Sequence, residues 1–174
     1  IILRAKCLYE LNKFWKKTDK SVIGVGLNQV NHLKDTSFLM NFIQHLEGLL
    51  DKRDITTANF EPKFCSDWTH IYQFKPLAVA TPRTSQQVSS LVKTAGEYSI
   101  PIVPMSGNTG LVGGTFAQNS LIISLEKMNK VIKVNTGSNL VTVESGVILS
   151  ALHSELATLN LTFPVTFGAR GSAM

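Results

Sequence analysis

The sequence predicts an α+β fold in which a β-α-β unit is followed by an antiparallel pair of strands. Apolar segments at 76–80 and 100–103 are typical of short strands, and apolar side chains recur at helical spacing between them. These side chains are Val88, Leu91, Val92 and Ala95. Two more apolar segments, 131–135 and 140–145, are separated by Thr-Gly-Ser-Asn, which favours a hairpin turn. The chain is therefore expected to combine parallel and antiparallel pairing.

The β-α-β unit has recognisable limits. Pro82 favours an exit turn from the first strand, and Thr84 or Ser85 can cap the helix that follows. A right-handed crossover is expected, which places the loop after the second strand at the carboxyl edge of the sheet. Ligands of open α/β sheets bind at that edge. The segment 121–125 predicts a further strand.

Two more helices are predicted, one before and one after this region. The first follows Met40 and has apolar residues along one face, namely Phe42, Ile43, Leu46, Leu49 and Leu50. The second is capped by Ser150 and is followed by an apolar segment at 161–165. Its apolar positions are Leu152, Leu156 and Leu159.

The stretch 101–114, PIVPMSGNTGLVGG, places a glycine-rich loop directly after a predicted strand. Its glycines are Gly107, Gly110, Gly113 and Gly114. Glycine permits positive φ and a close approach of a ligand to the backbone. Asn108 and Thr109 add short polar side chains, and freed N–H groups favour an anion such as pyrophosphate. The alternative is a flexible surface turn, which rarely needs four glycines set among Leu111 and Val112.

Two better-known phosphate loops do not match this stretch. A P-loop requires Gly-Lys-Ser/Thr after its second glycine, and no lysine occurs between Gly107 and Phe116. The dinucleotide fingerprint GxGxxG leads into a helix, whereas the predicted strand at 121–125 follows here.

A second segment of small residues occurs at 168–172, Gly-Ala-Arg-Gly-Ser. Gly168 and Gly171 again allow a close approach of the backbone, and Ser172 offers a hydroxyl group. Two such segments fit a long, folded ligand better than a mononucleotide. A plain connection after a helix and a strand remains the alternative for this segment.

The net charge of +5 is concentrated at the beginning of the chain. Residues 1–39 contain seven Lys or Arg and three acidic residues, whereas residues 40–174 contain ten Lys or Arg and nine acidic residues. The body of the protein therefore lacks the basic surface that binds nucleic acid, and no nucleic-acid partner is predicted.

Residues 1–39 are difficult to assign. Apolar residues at helical spacing occur there, namely Leu8, Leu11, Phe14 and Trp15, and 21–27 resembles a strand. The sequence begins at Ile1 rather than at a methionine. We expect Met40 to be the true start, with 1–39 as a leader of uncertain origin that need not be native.

The cysteines and histidines predict no metal site. Cys7 and Cys65 form no disulfide framework and indicate a reducing, cytoplasmic compartment. Cys65 and His70 lack a second pair of ligands, so zinc is not expected. His153 lies beside Leu152 on a predicted helix and is interpreted as ordinary surface or core. No apolar run approaches the length of about 18 residues that a membrane span requires.

The order of several motifs resembles a known family. PRTSQQV, PIVPMSGNTGLVGG, SLEKMNKV, VESGV and GARGS occur in sequence. This order is similar to the FAD-binding domain of the FAD-linked oxidases related to p-cresol methylhydroxylase and vanillyl-alcohol oxidase. Within that group it looks most like the D-lactate and D-2-hydroxyglutarate dehydrogenases. The resemblance extends from Asp67 to Ser172.

The resemblance implies a small β-α-β lobe and a second lobe with an antiparallel sheet and helices, with FAD between them. The first set of residues that would contact FAD is Pro104, Ser106, Gly107, Asn108, Thr109, Gly110, Leu111, Gly113 and Gly114. The second set is Pro164, Gly168, Ala169, Gly171 and Ser172. The segment 126–129 is interpreted as structural.

Two differences from the family carry further expectations. Relatives that attach flavin covalently carry a histidine where this chain has Asn108, so a dissociable, non-covalent FAD is implied. The family continues with IGG…TNAGG and a substrate domain that holds a catalytic histidine and metal-binding residues. The chain is therefore expected to be an N-terminal fragment, without a catalytic residue of its own.

The resemblance divides the chain into three parts and implies a reaction. After the leader at 1–39, residues 40–75 form a helix and an irregular segment, and 76–174 form the incomplete FAD-binding domain. The implied reaction oxidises a D-2-hydroxy acid of the D-lactate, D-2-hydroxyglutarate or glycolate type to the 2-oxo acid, with hydride transfer to flavin N5. The electron acceptor and the oligomeric state are left open, and a divalent metal would lie in the missing part.

Two alternatives to this reaction stay open. One is an FAD-linked oxidase acting on an alcohol, a sugar lactone or an alkyl-glycerol compound, since the specificity region lies outside the chain. The other is a truncated nucleotide-binding module without activity.

Overall fold

The computed structural model describes residues 36–172, so the helix and strand expected within 1–35 lie outside the described residues. The regular elements in chain order are α1 (Thr36–Glu47), β1 (Ile55–Thr56), β2 (Ala78–Ala80), α2 (Ser85–Glu97), β3 (Ile102–Met105), β4 (Leu121–Ser124), β5 (Val131–Asn135), β6 (Leu140–Val143) and α3 (Leu149–Ala157). Short 3₁₀ helices occur at Lys52–Asp54 and Pro62–Phe64.

The first sheet has the order β1-β2-β4-β3. β1 is antiparallel to β2, whereas β4 is parallel to both β2 and β3. Leu121 of β4 pairs with Ala78 on one side and with Ile102 on the other. The β-α-β unit is present, but its two strands are not neighbours, because β4 lies between them. The loop after β3 lies at the carboxyl edge of the three parallel strands.

Alternating side chains of this sheet pack into two hydrophobic clusters. All four residues of β4 are buried, as central parallel strands require. Leu121 and Ile123 pack with residues of α1 and α2. Ile122 belongs to the other cluster, which includes Phe64 and Phe74. Helices therefore cover one face of the sheet, and the irregular segment 60–74 covers the other.

The helix of the β-α-β unit is capped by Thr84 rather than by Ser85. The Gln87 backbone N–H donates to Thr84 Oγ1 at 3.2 Å, and Ser85 is the first helical residue. On the neighbouring α1, Phe42 and Leu46 are fully buried, and the Phe42 ring lies 5.4 Å from that of Tyr98. The predicted helix is thus present, although α1 already includes Thr36, before Met40, and ends at Glu47. Leu49 and Leu50, which were expected on its apolar face, lie in the turn that follows it.

The second lobe consists of the β5–β6 hairpin and α3. The strands are antiparallel, and Asn139 in the connecting turn has a φ of 51°. A separate hydrophobic cluster joins the hairpin to α3, consisting of Val141, Val143, Val147, Leu149, Leu152, Leu156 and Phe163. The predicted hairpin and the expected antiparallel pairing are therefore present.

Two details of the predicted third helix were wrong. The N-cap is Ile148, and Ser150 lies inside the first turn because Leu149 is already helical. The helix ends at Ala157, so Leu159 lies beyond it and is 46% exposed. The segment 161–165 forms no strand. Among the described residues, no helix is both long and apolar enough to cross a membrane.

Candidate functional site

The glycine loop begins where β3 ends and is anchored at its first residue. Ser106 Oγ donates to the backbone carbonyl of Ser145 at 3.0 Å. One residue earlier, the Met105 carbonyl accepts from the Leu125 N–H at 2.9 Å. The beginning of the loop is thereby held between the end of β4 and the start of the connection to α3.

Asn108 binds the loop to the segment that precedes the sheet. Its Nδ2 donates to the carbonyl oxygens of Lys63 and Ser66, both at 3.0 Å. Its Oδ1 accepts from Thr115 Oγ1 at 2.8 Å. The residue has a φ of 49°, a left-handed conformation that asparagine tolerates better than most residues. The side chain thus ties the middle of the loop to its far end and to residues 63–66.

Gly113 is the position in the loop that most requires glycine. Its φ is 70°, and a Cβ there would lie 2.9 Å from Tyr72 Cε2. The Tyr72 ring meets Phe116 edge-on with the centroids 6.3 Å apart. Tyr72 thus packs directly against the loop backbone.

Other loop positions are open to an approaching group. A Cβ built at Gly110 or Gly114 would meet nothing within 4 Å. Leu111 and Val112 are 67% and 88% exposed. The loop therefore combines a fixed backbone with a free outer surface.

The second small-residue segment is attached to the beginning of α3. The Leu149 N–H donates to the Ser172 carbonyl at 3.4 Å, and the Ser150 N–H donates to the Arg170 carbonyl at 3.0 Å. These bonds satisfy two of the N–H groups that a helix leaves free at its first turn. A Cβ at Gly168 or Gly171 would again meet nothing within 4 Å.

Both sets of predicted contact residues therefore adjoin the stretch 145–150. The glycine loop attaches through Ser106 at one end of that stretch, and the segment 168–172 attaches at the other. Pro104 lies in β3 and Pro164 lies in the irregular stretch after α3, and both are exposed. The side chains of Ser106 and Asn108 are both bound to protein groups.

A buried carboxylate joins the other two parallel strands at the same edge. Asp54, only 1% exposed, accepts from Arg83 after β2 and from Lys127 after β4. The hydrogen bond from Arg83 is the main reason that the pKa of Asp54 falls to about 2, and Lys127 contributes further. The carboxylate therefore stays charged at every physiological pH.

A second buried carboxylate shapes the turn that carries Tyr72. Asp67 accepts from Thr69 Oγ1 at 2.6 Å and from the Tyr72 N–H at 3.2 Å. The Thr69 hydroxyl is the main cause that lowers the pKa of Asp67. This turn ends with the Phe74 N–H bound to the Cys65 carbonyl at 2.9 Å.

The histidines near the site have local partners. His70 Nδ1 lies 3.2 Å from Ser66 Oγ, and His153 Nε2 lies 3.0 Å from the Phe163 carbonyl. Both contacts are within the fold, which agrees with the structural interpretation of His153.

Sequence reasoning missed three groups that fix the site. Asp54 gave no signal, because its partners are distant in sequence. Tyr72 lies in the part of 40–75 that the sequence predicts only as irregular. Gly146, within VESGV, lies so close to the Leu125 carbonyl that a Cβ would overlap it. A glycine directly after a predicted strand was the available signal for that close approach.

Comparison with protein families identifies the region that contains this site. A family model described as "FAD binding domain" matches residues 76–174. The chain belongs to this family of FAD-binding domains. The prediction of the family is thereby confirmed, and both sets of predicted contact residues lie within the matched region.

Curated relatives of this FAD-binding domain are named as dehydrogenases. A D-2-hydroxyglutarate dehydrogenase of Xanthomonas citri pv. viticola is 39% identical over 107 residues, which are 61% of this chain and 23% of the relative. The mitochondrial D-2-hydroxyglutarate dehydrogenase of Arabidopsis thaliana is 31% identical over 140 residues, 80% of this chain and 24% of the relative. A Schizosaccharomyces pombe protein that bears a D-lactate dehydrogenase name is 33% identical over 133 residues, which are 76% of this chain and 24% of the relative. The chain thus spans about a quarter of the length of these relatives.

Solved structures share the fold of this FAD-binding domain. Alkyldihydroxyacetonephosphate synthase superposes with a TM-score of 0.68 at 17% identity, over 77% of this chain and 30% of that one. p-Cresol methylhydroxylase superposes with a TM-score of 0.63 at 23% identity, over 79% of this chain and 28% of that one. The predicted fold of the p-cresol methylhydroxylase type is confirmed.

The residues present fit an extended cofactor that carries a pyrophosphate. Four glycines on two separate segments have open space where a side chain would otherwise stand, namely Gly110, Gly114, Gly168 and Gly171. Open backbone N–H groups in such loops bind anions without requiring a lysine. The site therefore offers backbone contacts along two segments joined by 145–150.

Proposed function

We propose that this chain is the FAD-binding part of a flavin-dependent dehydrogenase that oxidises a D-2-hydroxy acid to the 2-oxo acid. The observation that supports the cofactor is the pair of open glycine segments attached to the stretch 145–150. The observation that supports the substrate class is the naming of relatives, at 31–39% identity, as D-2-hydroxyglutarate and D-lactate dehydrogenases.

In this proposal the chain supplies binding and orientation. The loop residues from Pro104 to Gly114 and the segment from Gly168 to Ser172, with Pro164, hold the pyrophosphate and its neighbouring groups. The bound flavin supplies the acceptor for the hydride removed from the substrate. Ser106 keeps the loop in register with Ser145, and Tyr72 supports Gly113 from the protein side.

We infer that FAD binds without a covalent bond. Asn108, where covalently flavinylated relatives carry histidine, offers an amide in place of a nucleophilic imidazole. Its Nδ2 is also already bound to two carbonyl oxygens. Acid precipitation of the purified protein should therefore release the flavin into the supernatant, and yellow colour retained in the washed precipitate would contradict the inference.

The remaining parts of the reaction are assigned to protein outside this chain. These are the base that removes the hydroxyl proton, any divalent metal, and the contacts to the small 2-hydroxy acid and to the electron acceptor. The assignment rests on the small share of the relatives that the chain spans, about a quarter. In this proposal the role of the chain itself is to bind the cofactor.

The test uses the protein in which this chain occurs, purified with and without added FAD. Anaerobic addition of D-lactate or D-2-hydroxyglutarate should bleach the flavin absorbance, whereas the L-enantiomers should not. An alcohol or a sugar lactone that bleached the flavin when neither hydroxy acid did would replace the substrate class but keep the cofactor. A protein that took up no FAD would contradict the proposal as a whole.

A further inference from the structure

The segment 51–74 contains β1 and covers one face of the sheet, and it also contacts the loop after each parallel strand. Asp54 binds Arg83, which follows β2. The Lys63 carbonyl binds Asn108, which follows β3. Lys63 Nζ binds Glu126, which follows β4, at 2.8 Å. All of this segment precedes residue 76, where the match to the family model begins.

Asn108 is the point at which this segment meets the glycine loop. A primary amide has two N–H donors and a carbonyl oxygen with two lone pairs. In Asn108 the amide nitrogen donates to two carbonyl oxygens, and Oδ1 accepts one bond from Thr115. One of the acceptors, Ser66, is only 7% exposed, so the bond lies largely out of water. A ligand that accepted a hydrogen bond from Nδ2 would therefore have to displace the carbonyl oxygen of Lys63 or of Ser66.

A second contact from the same segment lies five residues further along the loop. The Tyr72 ring packs against the Gly113 backbone and against Phe116, which returns the chain to the sheet. Asp67 holds the turn that presents Tyr72, through its bond to the Tyr72 N–H. The part of the loop between Asn108 and Gly113 is therefore supported at both ends.

We propose that residues 61–74 form a support segment and that Asn108 is the positioning residue through which it holds the loop. The inference rests on the proposed function, in which the loop receives the FAD pyrophosphate. Asn108 acts through the backbone, because its side chain faces the support segment. The loop is thus ordered before the cofactor binds, so the cost of ordering it is not subtracted from the affinity for FAD.

Three variants separate the role of the Asn108 side chain from that of its backbone. Asn108→Gly keeps access to positive φ but removes all three hydrogen bonds. Asn108→Asp places a carboxylate against two carbonyl oxygens. Thr115→Val removes only the bond to Oδ1, and it provides a milder variant if the others fold poorly. The matched control is Asn139→Asp, since the exposed Asn139 has a similar φ of 51° in the hairpin turn.

Two measurements are made on the protein in which this chain occurs. Amide hydrogen exchange across residues 106–116 in the flavin-free protein reports the order of the loop without any cofactor. Titration with FAD, followed by flavin fluorescence, reports affinity. We expect Asn108→Asp and Asn108→Gly to speed exchange in the loop and to weaken FAD binding about tenfold, with a smaller effect of Thr115→Val in the same direction. Asn139→Asp should change neither quantity.

The two measurements distinguish failure of this inference from failure of the proposed function. Unchanged exchange in the flavin-free Asn108 variants would overturn the positioning role, and weaker FAD binding without faster exchange would indicate a direct cofactor contact instead. If the Asn108 variants exchange faster but the protein with Asn108 intact binds no FAD, the support role stands and the proposed function is contradicted.

Discussion

Arg83 and Asp54 are joined by two hydrogen bonds, from Nε to Oδ2 at 2.8 Å and from Nη2 to Oδ1 at 3.1 Å, across 29 residues of sequence. Lys127 adds a third bond to the same carboxylate. The carboxylate is buried, whereas the Arg83 and Lys127 side chains are 46% and 31% exposed. A single negative charge therefore holds together the segment before the sheet, the turn after β2 and the turn after β4.

Replacement of this carboxylate should destabilise the whole domain. Asp54→Asn removes the charge that both cations approach, and we expect a loss of about 2 kcal/mol in the free energy of unfolding measured with urea. The loss is smaller than for a fully buried pair, because both cations can return to water. Asp51→Asn is the matched control. Its pair with Arg53 is exposed at both ends, so a change within about 0.5 kcal/mol is expected. Equal effects of the two variants would contradict the assignment.

The same carboxylate predicts an acid-dependent loss of stability. The pKa of Asp54 in the folded protein is about 2, below its ordinary value of 3.8, because Arg83 and Lys127 favour the charged form. Its contribution is present above about pH 4 and is lost as the pH falls through 2, because the unfolded chain then binds the proton more readily. The free energy of unfolding, followed from about pH 5 downward, should converge for the native protein and Asp54→Asn. A gap that stays constant with pH would count against this linkage.

Gly113→Ala should disturb the glycine loop. The methyl group would meet the Tyr72 ring, and alanine would have to adopt a φ of 70°. We expect a cost of about 1 to 2 kcal/mol in the free energy of unfolding, together with weaker binding of FAD in a fluorescence titration. Gly114→Ala serves as the control for stability, since its Cβ has open space around it. The prediction fails if the two variants unfold at the same urea concentration.

Gly146→Ala should be the most damaging glycine substitution in the second lobe. The new Cβ would overlap the Leu125 carbonyl, which belongs to the backbone and cannot rotate away. We expect a loss of about 3 kcal/mol or more, seen as a lower unfolding midpoint or as insoluble protein. Gly137→Ala in the hairpin turn is the control, because its Cβ would lie an ordinary 3.6 Å from Asn135 Oδ1. Normal stability of Gly146→Ala would show that this close approach is not required.

The elements near the site were predictable wherever a local pattern carries the information. Val88, Leu91 and Ala95 fall on the buried side of α2 because helical spacing places them together, and Thr84 caps the helix as its side chain allows. The loop after β3 was predictable, because a cluster of glycines directly after an apolar segment interrupts a strand. Family membership followed from the order of such motifs.

The interactions that fix the site were not predictable, because they join residues far apart in the sequence. Nothing local to Asp54 shows that Lys127 will reach it 73 residues later. The position of β4 between β2 and β3 depends on which strands pair, and short apolar runs of similar length give no preference. The resemblance implies that Asn108 is a cofactor contact, but no local pattern shows that its side chain binds the carbonyl oxygens of Lys63 and Ser66.

The central position of β4 also affects the order in which the domain folds during synthesis. β3 pairs only with β4 in this sheet, so a nascent chain that ends before residue 121 contains β3 without a partner strand. Leu121–Ser124 must leave the ribosome before β4 can pair with β2 on one side and with β3 on the other. The two ends of the glycine loop come together in the same step, because this loop connects β3 to β4. Until then α2 has only part of its hydrophobic surface to pack against, and a stalled chain of this length would expose Leu91 to chaperones.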